Sequence, residues 1–323
     1  MENDLDNLDG KNPFSLTLAS LEKEIYNNGE RLIPGISHDW MEVVRHKSAY
    51  RFFYEIINND LENGKTAQPG GIEIVDLGCG VGHGSHMMSH ISGSRITGVD
   101  SSKKSLEFAR QNYARENIKY AEAELSKFIA DMPDCDYAVS HQVLEHVATG
   151  LDLAKKIKFR KRLIFDVPYG EADGNPHHLI LDLKENNFRG FPDAELFYQD
   201  LDGIIYDSSR RPPKPNIIIC ACRGKGLPLV SESSLEFPFP AWKGNFGENN
   251  IFDQPKHQID PPEALMESMF LFLRHKLEIT EEKLRFSRIE LDEIRNSRGW
   301  KFITLIRRLK NRLSLFSKKQ LDE

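Results

Sequence analysis

The chain is poor in cysteine, and the four it has, Cys79, Cys135, Cys220 and Cys222, form no C-x-x-C pair and no zinc spacing. That argues against a disulfide scaffold or a zinc ribbon and points to a reduced, cytoplasmic setting. Long apolar runs are missing as well. The most apolar stretch, Ile217-Ile218-Ile219-Cys220-Ala221-Cys222, falls far short of the ~20 residues a membrane span needs and suits a buried strand. The polar, acidic N-terminus lacks the pattern of a secretory signal, so none is expected. Positive charge is not in excess: a net charge of -6 and a pI near 6.0 argue against bulk nucleic acid as the main partner, while local basic patches stay open. Two phosphate-binding signatures are also absent. A G-x-G-x-x-G fingerprint fails in both registers, because His83 and Ser85 stand where its third glycine should be, and no Gly-Lys-Ser/Thr follows the turn.

What is present begins at Glu73-Ile74-Val75-Asp76-Leu77-Gly78-Cys79-Gly80-Val81-Gly82-His83-Gly84. It reads as a short apolar strand running into a glycine-rich turn, with a helix starting near His83. Glycines at 78, 80 and 82 admit positive φ and let backbone approach a ligand closely. A second strand, Arg95-Ile96-Thr97-Gly98-Val99, ends in Asp100, a carboxylate able to accept both hydroxyls of a ribose, while Asp76 adds negative charge close to a cationic ligand. At 323 residues and 39% hydrophobic, the chain can hold one α/β domain with a real core plus extra segments.

These residues resemble the class I S-adenosylmethionine-dependent methyltransferases, with Val75 to Gly82 as the first motif and Gly98-Val99-Asp100 as the second. Asp136 to Val147 is similar to the fourth strand and its loop, and Arg162 to Pro168 to the fifth strand. The resemblance implies a doubly wound α/β sheet of seven strands, order 3-2-1-4-5-7-6 with strand seven antiparallel, and S-adenosylmethionine as cofactor. It places Asp76, Gly78, Cys79, Gly80, Gly82, Asp100, Ser101 and His141 around that cofactor, with Glu124 at its adenine and Leu125 beside the ring. The sheet is expected to continue through a helix around Leu181 to Asn187, a sixth strand over Leu196 to Tyr206 interrupted near Asp200, and a seventh from Asn216 to Cys222.

Around this domain, taken as residues 71–223, three further segments are expected: an N-terminal helical cover over 1–70, a linker over 224–262, and an amphipathic, coiled-coil tail over 263–323. On the helix expected from Asp39 through Ile57, Glu42, His46 and Tyr50 recur at i+4 and share a face. Glu30-Arg31-Leu32-Ile33-Pro34-Gly35 and that helix resemble the entry segment and pocket cover of glycan-associated methyltransferases; an ordinary packing helix is the competing reading. In the tail Phe270, Leu273, Leu277, Leu284, Leu291 and Ile294 fall on a and d heptad positions, with Thr280 and Ser287 as polar exceptions. Beyond Trp300 no acid occurs before Asp322, and Lys301, Arg307, Arg308, Lys310 and Arg312 face away from a stripe of Phe302, Ile306, Leu309, Leu313 and Phe316. That suits an anionic membrane surface, at the inner face in a cytoplasmic protein, or an acidic partner; a homodimer through the C-terminal helices is the other reading. Ile294 to Leu309 also resembles the tail of bacterial glycosyltransferases and methyltransferases of surface-polysaccharide assembly, with Gly299 and Lys301 in place of its usual Ser and Arg.

Chemistry is expected at the ends of strands four and five, where Glu145, His146, Tyr169, His177 and His178 gather. The resemblance implies in-line transfer of a methyl group, for which a sugar hydroxyl needs a base; His146 and one of His177 or His178 lead the candidates. The acceptor is expected to be a sugar or glycan intermediate of surface-polysaccharide biosynthesis, with a quinone or another small molecule as the alternative, and a non-catalytic assembly module as the third. Gln142, Glu145 and His146 also resemble the Glu-x-x-Glu-His motif of quinone-pathway and small-RNA methyltransferases, in which carboxylates and histidines hold a divalent ion such as magnesium. Here Gln142 replaces the first carboxylate, which weighs against a hard cation, and His178 would complete the set.

Overall fold

In the computed structural model the described residues are 25, 32–33, 40–63, 71–171, 175–191, 193–242 and 284. Chain contacts divide it into a unit of residues 1–261 and another of residues 262–323. Of the second unit only Leu284, exposed, is described. The heptad pattern save Leu284, the basic amphipathic stretch, the polar N-terminus and the segment Glu30 to Gly35, save Leu32 and Ile33, therefore lie outside the described residues.

A long helix, α1 (Trp40–Asn63), precedes the sheet. Its Ala49, Phe52, Phe53, Ile56 and Ile57 recur at i+3 and i+4 and are buried, forming the stripe that lays it on the sheet. Then strands and helices alternate: β1 (Ile72–Leu77), α2 (His83–Met88), β2 (Ser94–Asp100), α3 (Lys103–Asn112), β3 (Ile118–Glu122), α4 (Leu125–Asp131), β4 (Cys135–His141), α5 (Gly150–Ala154) and β5 (Phe159–Pro168). The first five strands are parallel, in the order β3-β2-β1-β4-β5. All seven residues of β4 are buried, because helices cover both faces of the parallel core. Ser102 caps α3 by accepting from Ser105 N–H at 3.2 Å.

After β5 come β6 (Ala194–Gln199), β7 (Ile205–Asp207) and β8 (Ile217–Arg223). β8 inserts antiparallel between β5 and β6, as expected for the last strand. The sixth element, however, is two strands instead of one interrupted strand, so the sheet has eight among the described residues. The reason is Asp200. Its carboxylate accepts from Asp202 and Ile204 N–H, its carbonyl accepts from Gly203 N–H, and the chain reverses to pair β7 with β6. The helix expected around Leu181 to Asn187 is also corrected: only a 3-10 turn, Glu185–Phe188, forms. Leu179 and Ile180 donate their N–H groups to the Glu145 carbonyl, and Asp182 sits at φ 53°, in the left-handed region that helix interiors avoid.

The beginning of the expected linker packs on the domain. Phe237 stacks on Phe197 and meets Phe52, Phe239 bridges to Ile205, and Trp242 N–H donates to Ser48 Oγ at 2.8 Å. Of the described aromatics in this stretch, Phe239 belongs to the core, Phe237 packs against it and Trp242 is buried. Among the described residues no helix is long and apolar enough to cross a membrane.

One buried ion pair ties these layers together. Arg162 of β5, 1% exposed, donates through Nε and Nη2 to both carboxylate oxygens of Asp60 on α1 at 2.7 and 2.8 Å, and Nη2 also reaches the Pro228 carbonyl at 2.8 Å. Removing one partner strands a buried charge. Asp60→Ala is accordingly expected to lower the unfolding free energy by roughly 3 kcal/mol in urea denaturation.

Candidate functional site

The glycine turn after β1 is shaped by its neighbours. Gly78 has φ 74°, and a Cβ there would run into the Val143 side chain, so no larger residue fits. A Cβ on Gly84 would collide with the Tyr50 ring, which is how closely α1 lies over the turn. The backbone N–H groups of Gly78 and Cys79 donate to the Val99 carbonyl at 2.8 and 2.9 Å, fixing the turn to β2.

At the carboxyl ends of the strands, where β1 has β2 on one side and β4 on the other, lies a cavity of about 550 Å³. At one end Gly78, Cys79 and Gly80 form its floor, and Asp100, Ser101, Glu124 and Leu125 line it from β2 and the β3 loop. Asp100 is buried. Its oxygens accept from Gly80 N–H at 3.0 Å and Ser102 N–H at 2.7 Å, which holds the carboxylate at the rim of the glycine turn. Glu124 caps α4: its carboxylate accepts from Ser126 N–H and Oγ, and these bonds pull its pKa below the usual range.

Asp76 and Gly82 do not line the cavity. Asp76 is fully buried beneath the turn, where Ser85 Oγ donates to it at 2.6 Å and Tyr50 Oη at 3.3 Å. It ties β1, α2 and α1 together. Burial raises its pKa to about 6 despite the Ser85 and Tyr50 hydrogen bonds and the nearby His141, which act the other way.

His141 lines the cavity at the end of β4, and its Nδ1 meets both oxygens of the fully buried Asp166 at 2.9 and 2.7 Å. Around it stand His46, with ring centroids 4.3 Å apart, and Tyr50 at 5.0 Å. His83 joins the group 5.2 Å from Tyr50, and burial, reinforced by His141 and Lys47, lowers its pKa to about 3. Burial also holds His46 well below the ordinary histidine range. At neutral pH both therefore stay uncharged. Of the helix face named in the sequence, Glu42, His46 and Tyr50 all line the cavity.

At the other end His146, His177 and His178 line the cavity, with Gln142 beside them and Glu145 fully buried next to His146. His146 Nδ1 donates to the His177 carbonyl at 3.0 Å, and His178 Nδ1 bonds Glu171 Oε2 at 2.5 Å. The rings of His146 and His178 are 4.8 Å apart. Tyr169 is not brought here. Its hydroxyl lies 3.2 Å from both Glu185 oxygens and Arg211 stacks over its ring, whereas its neighbour Pro168 lines the cavity.

Sequence reasoning passed over His83, Asp166, Arg45 and Asn216. A charged residue inside the apolar run Leu163-Ile164-Phe165-Asp166-Val167 was a readable signal, since a buried carboxylate needs a partner. The others carry no comparable signal.

Residues 69–168 match the family model described as a methyltransferase domain, so the chain carries a methyltransferase domain over that stretch. Comparison with curated proteins finds no match. Similar solved structures include TehB from Haemophilus influenzae, at 17% identity over 53% of this chain and 62% of that one, with a TM-score of 0.39. The N-terminal domain of EvdMO1, crystallised with SAH and D-fucose, aligns at 17% identity over 66% of this chain and 96% of that domain, TM-score 0.43. The plantazolicin methyltransferase BpumL, in complex with SAH, aligns at 13% over 66% and 97%, TM-score 0.43. The chain spans 62% of the length of TehB and 47% of a longer EvdMO1 chain.

A carboxylate whose folded pKa is raised takes up a proton on folding between its unfolded and folded values. For Asp76 that stabilisation is present below its ordinary value of 3.8 and is lost as pH rises through about 6. Asp76→Asn does not titrate, so relative to wild type it is expected to gain up to about 3 kcal/mol between pH 4 and 7 in urea denaturation, with Ser85 and Tyr50 still in place.

Proposed function

We propose that the protein transfers a methyl group from S-adenosylmethionine to a hydroxyl of a sugar or glycan intermediate of surface-polysaccharide biosynthesis. The observation that carries the reading is a single cavity with a glycine floor and a buried, rim-held carboxylate at one end and a cluster of imidazoles and carboxylates at the other. The first end fits the cofactor. Gly78 and Gly80 leave room for a close approach, Asp100 has acceptor oxygens for two ribose hydroxyls, and Leu125 offers an apolar contact to the adenine. Glu124 is spoken for as the α4 cap, so its part at the adenine is at most shared.

When bound, S-adenosylmethionine supplies an electrophilic methyl on a sulfonium: its C–S bond breaks as the O–CH3 bond forms, leaving a thioether, an ether and one proton to dispose of. The residues of the second end handle the acceptor. Glu171, Asn175, His177, His178 and Asn216 present hydrogen-bonding groups that suit a polyhydroxyl ligand better than a flat quinone. An imidazole of this wall takes the proton, since a sugar hydroxyl is far too weak an acid to release it unaided near neutral pH. The glycan character of the acceptor also draws on the tail's likeness to surface-polysaccharide proteins, on residues outside those described. Of the remaining elements of the reading, the cytoplasmic setting rests on the cysteine usage, and C-terminal helices that meet a partner, a second copy or the membrane face rest on that same tail.

The test is transfer of labelled methyl from S-adenosylmethionine to a panel of sugar and quinol acceptors. Label in a sugar ether is the expected result, and His146→Ala should lower kcat by roughly 100- to 10,000-fold while cofactor affinity survives. Transfer to quinols alone would replace the acceptor class. Loss of cofactor affinity together with turnover would make His146 structural.

A further inference from the structure

With methyl transfer as the reaction, the cavity has a cofactor end and an acceptor end, and the group that joins them is a sulfonium, a fixed positive charge. What this chain places between the two ends is what that charge meets. His46, Tyr50, His83 and His141 line the cavity there, the His46 and His83 rings 6.2 Å apart and the others closer. His83 and His141 are 8% and 4% exposed, yet among the described residues neither ring nitrogen of His83 has a hydrogen-bond partner, nor has Nε2 of His141. A buried nitrogen left open on a cavity wall costs stability unless a ligand meets it. Two of the four rings are backed by fully buried carboxylates. Tyr50 Oη donates to Asp76, and His141 Nδ1 donates to Asp166, which also accepts from Gln142 N–H at 2.9 Å. Such bonds push electron density onto the donor ring. Whichever way the His141 proton goes, its pair with Asp166 sums to zero or to a negative charge. Burial lowers the pKa of His83 to about 3 and holds His46 well below the ordinary range, so neither adds a charge at neutral pH. The basic residues of this part of α1 have other partners. Lys47 Nζ lies 4.4 Å over the Trp242 ring, and Arg45, on the cavity wall, reaches the Leu201 carbonyl at 3.4 Å.

We propose that His46, Tyr50, His83 and His141, backed by Asp76 and Asp166, form a cation cage that makes the site prefer charged S-adenosylmethionine over the neutral thioether left after transfer. The cage rests on the methyl-transfer reading for the identity of its cation. A tyrosine ring attracts a desolvated cation and has nothing comparable to offer a thioether. Neutral imidazoles with open nitrogens add lone pairs, which likewise favour positive charge. Contacts to adenine and ribose are common to both ligands and cancel from the ratio of their affinities, so the ratio reports the cage alone. A lining of this kind holds the reactant and lets the product go. Asp166 is a positioning residue in it: its carboxylate fixes the His141 ring and offsets any charge that ring takes up.

The test is calorimetric titration of the full-length protein with S-adenosylmethionine, with S-adenosylhomocysteine, and with sinefungin, which carries an ammonium-bearing carbon in place of the sulfonium. S-adenosylmethionine and sinefungin are expected to bind roughly three- to thirtyfold more tightly than S-adenosylhomocysteine. His83→Leu and Asp166→Asn should bring both ratios towards one, with the loss falling on the two cations. A merely structural role would weaken all three ligands alike. Circular dichroism checks the fold of each variant, and the wild-type ratio needs no variant at all. Equal or tighter binding of S-adenosylhomocysteine by wild type would overturn the cage and leave methyl transfer standing. A preference that the folded variants keep in full would overturn its assignment to these residues. Binding of none of the three would overturn the cofactor reading and the cage with it.

Discussion

The structure depends on one buried carboxylate. Asp76 lies where β1 ends and the glycine turn begins, and three elements meet on it: β1 carries it, Ser85 of α2 and Tyr50 of α1 donate to it. The turn can be open to a ligand because something beneath it is rigid, and Asp76 supplies that rigidity at the expense of a raised pKa. The same contact brings α1 so near that only glycine fits at position 84. Roof and floor of the cavity are thus set by one network, and the Arg162–Asp60 pair fixes the other end of α1 to the sheet.

From that frame follows a division of labour along the cavity. Asp100 and the turn glycines are placed by strand ends, held by backbone hydrogen bonds and little able to move. Between the two ends the His46, Tyr50, His83 and His141 rings pack edge to face, with burial keeping His46 and His83 neutral. The histidine-rich end is built differently, from a 3-10 turn after β4 and an irregular segment after β5, tied together by the Glu145 carbonyl accepting from Leu179 and Ile180. Loops positioned by a rigid scaffold are where binding residues concentrate in α/β domains generally.

Much of the fold was readable in the chain because its signals are local. A strand running into Gly78, a second strand ending in Asp100 and two more apolar strands each announce themselves within a dozen residues, and the parallel order follows. The second half was read less well. Asp200 turns one strand into a hairpin through side-chain bonds to its own neighbours, and Asp182, at φ 53° in the left-handed region, breaks the helix expected near Leu181. In the site, the residue types at the strand ends were legible but their facing was not. Pro168 turns to the cavity and Tyr169 to Glu185, a matter of strand alternation that a motif does not record. The partnerships Asp166 with His141, Tyr50 with Asp76 and Glu171 with His178 span 25, 26 and 7 residues, and the two longer ones arise only once the sheet is assembled.

The glycine turn and Asp100 together are the proposed cofactor site. Calorimetric titration of the full-length protein with S-adenosylmethionine, beside an Asp100→Ala variant shown to be folded, tests it most directly. Saturable binding by wild type that the variant loses by at least about tenfold, the effect of one charge-assisted bond or more, is the predicted result. No binding by the folded wild type, or equal binding by the two, would contradict it.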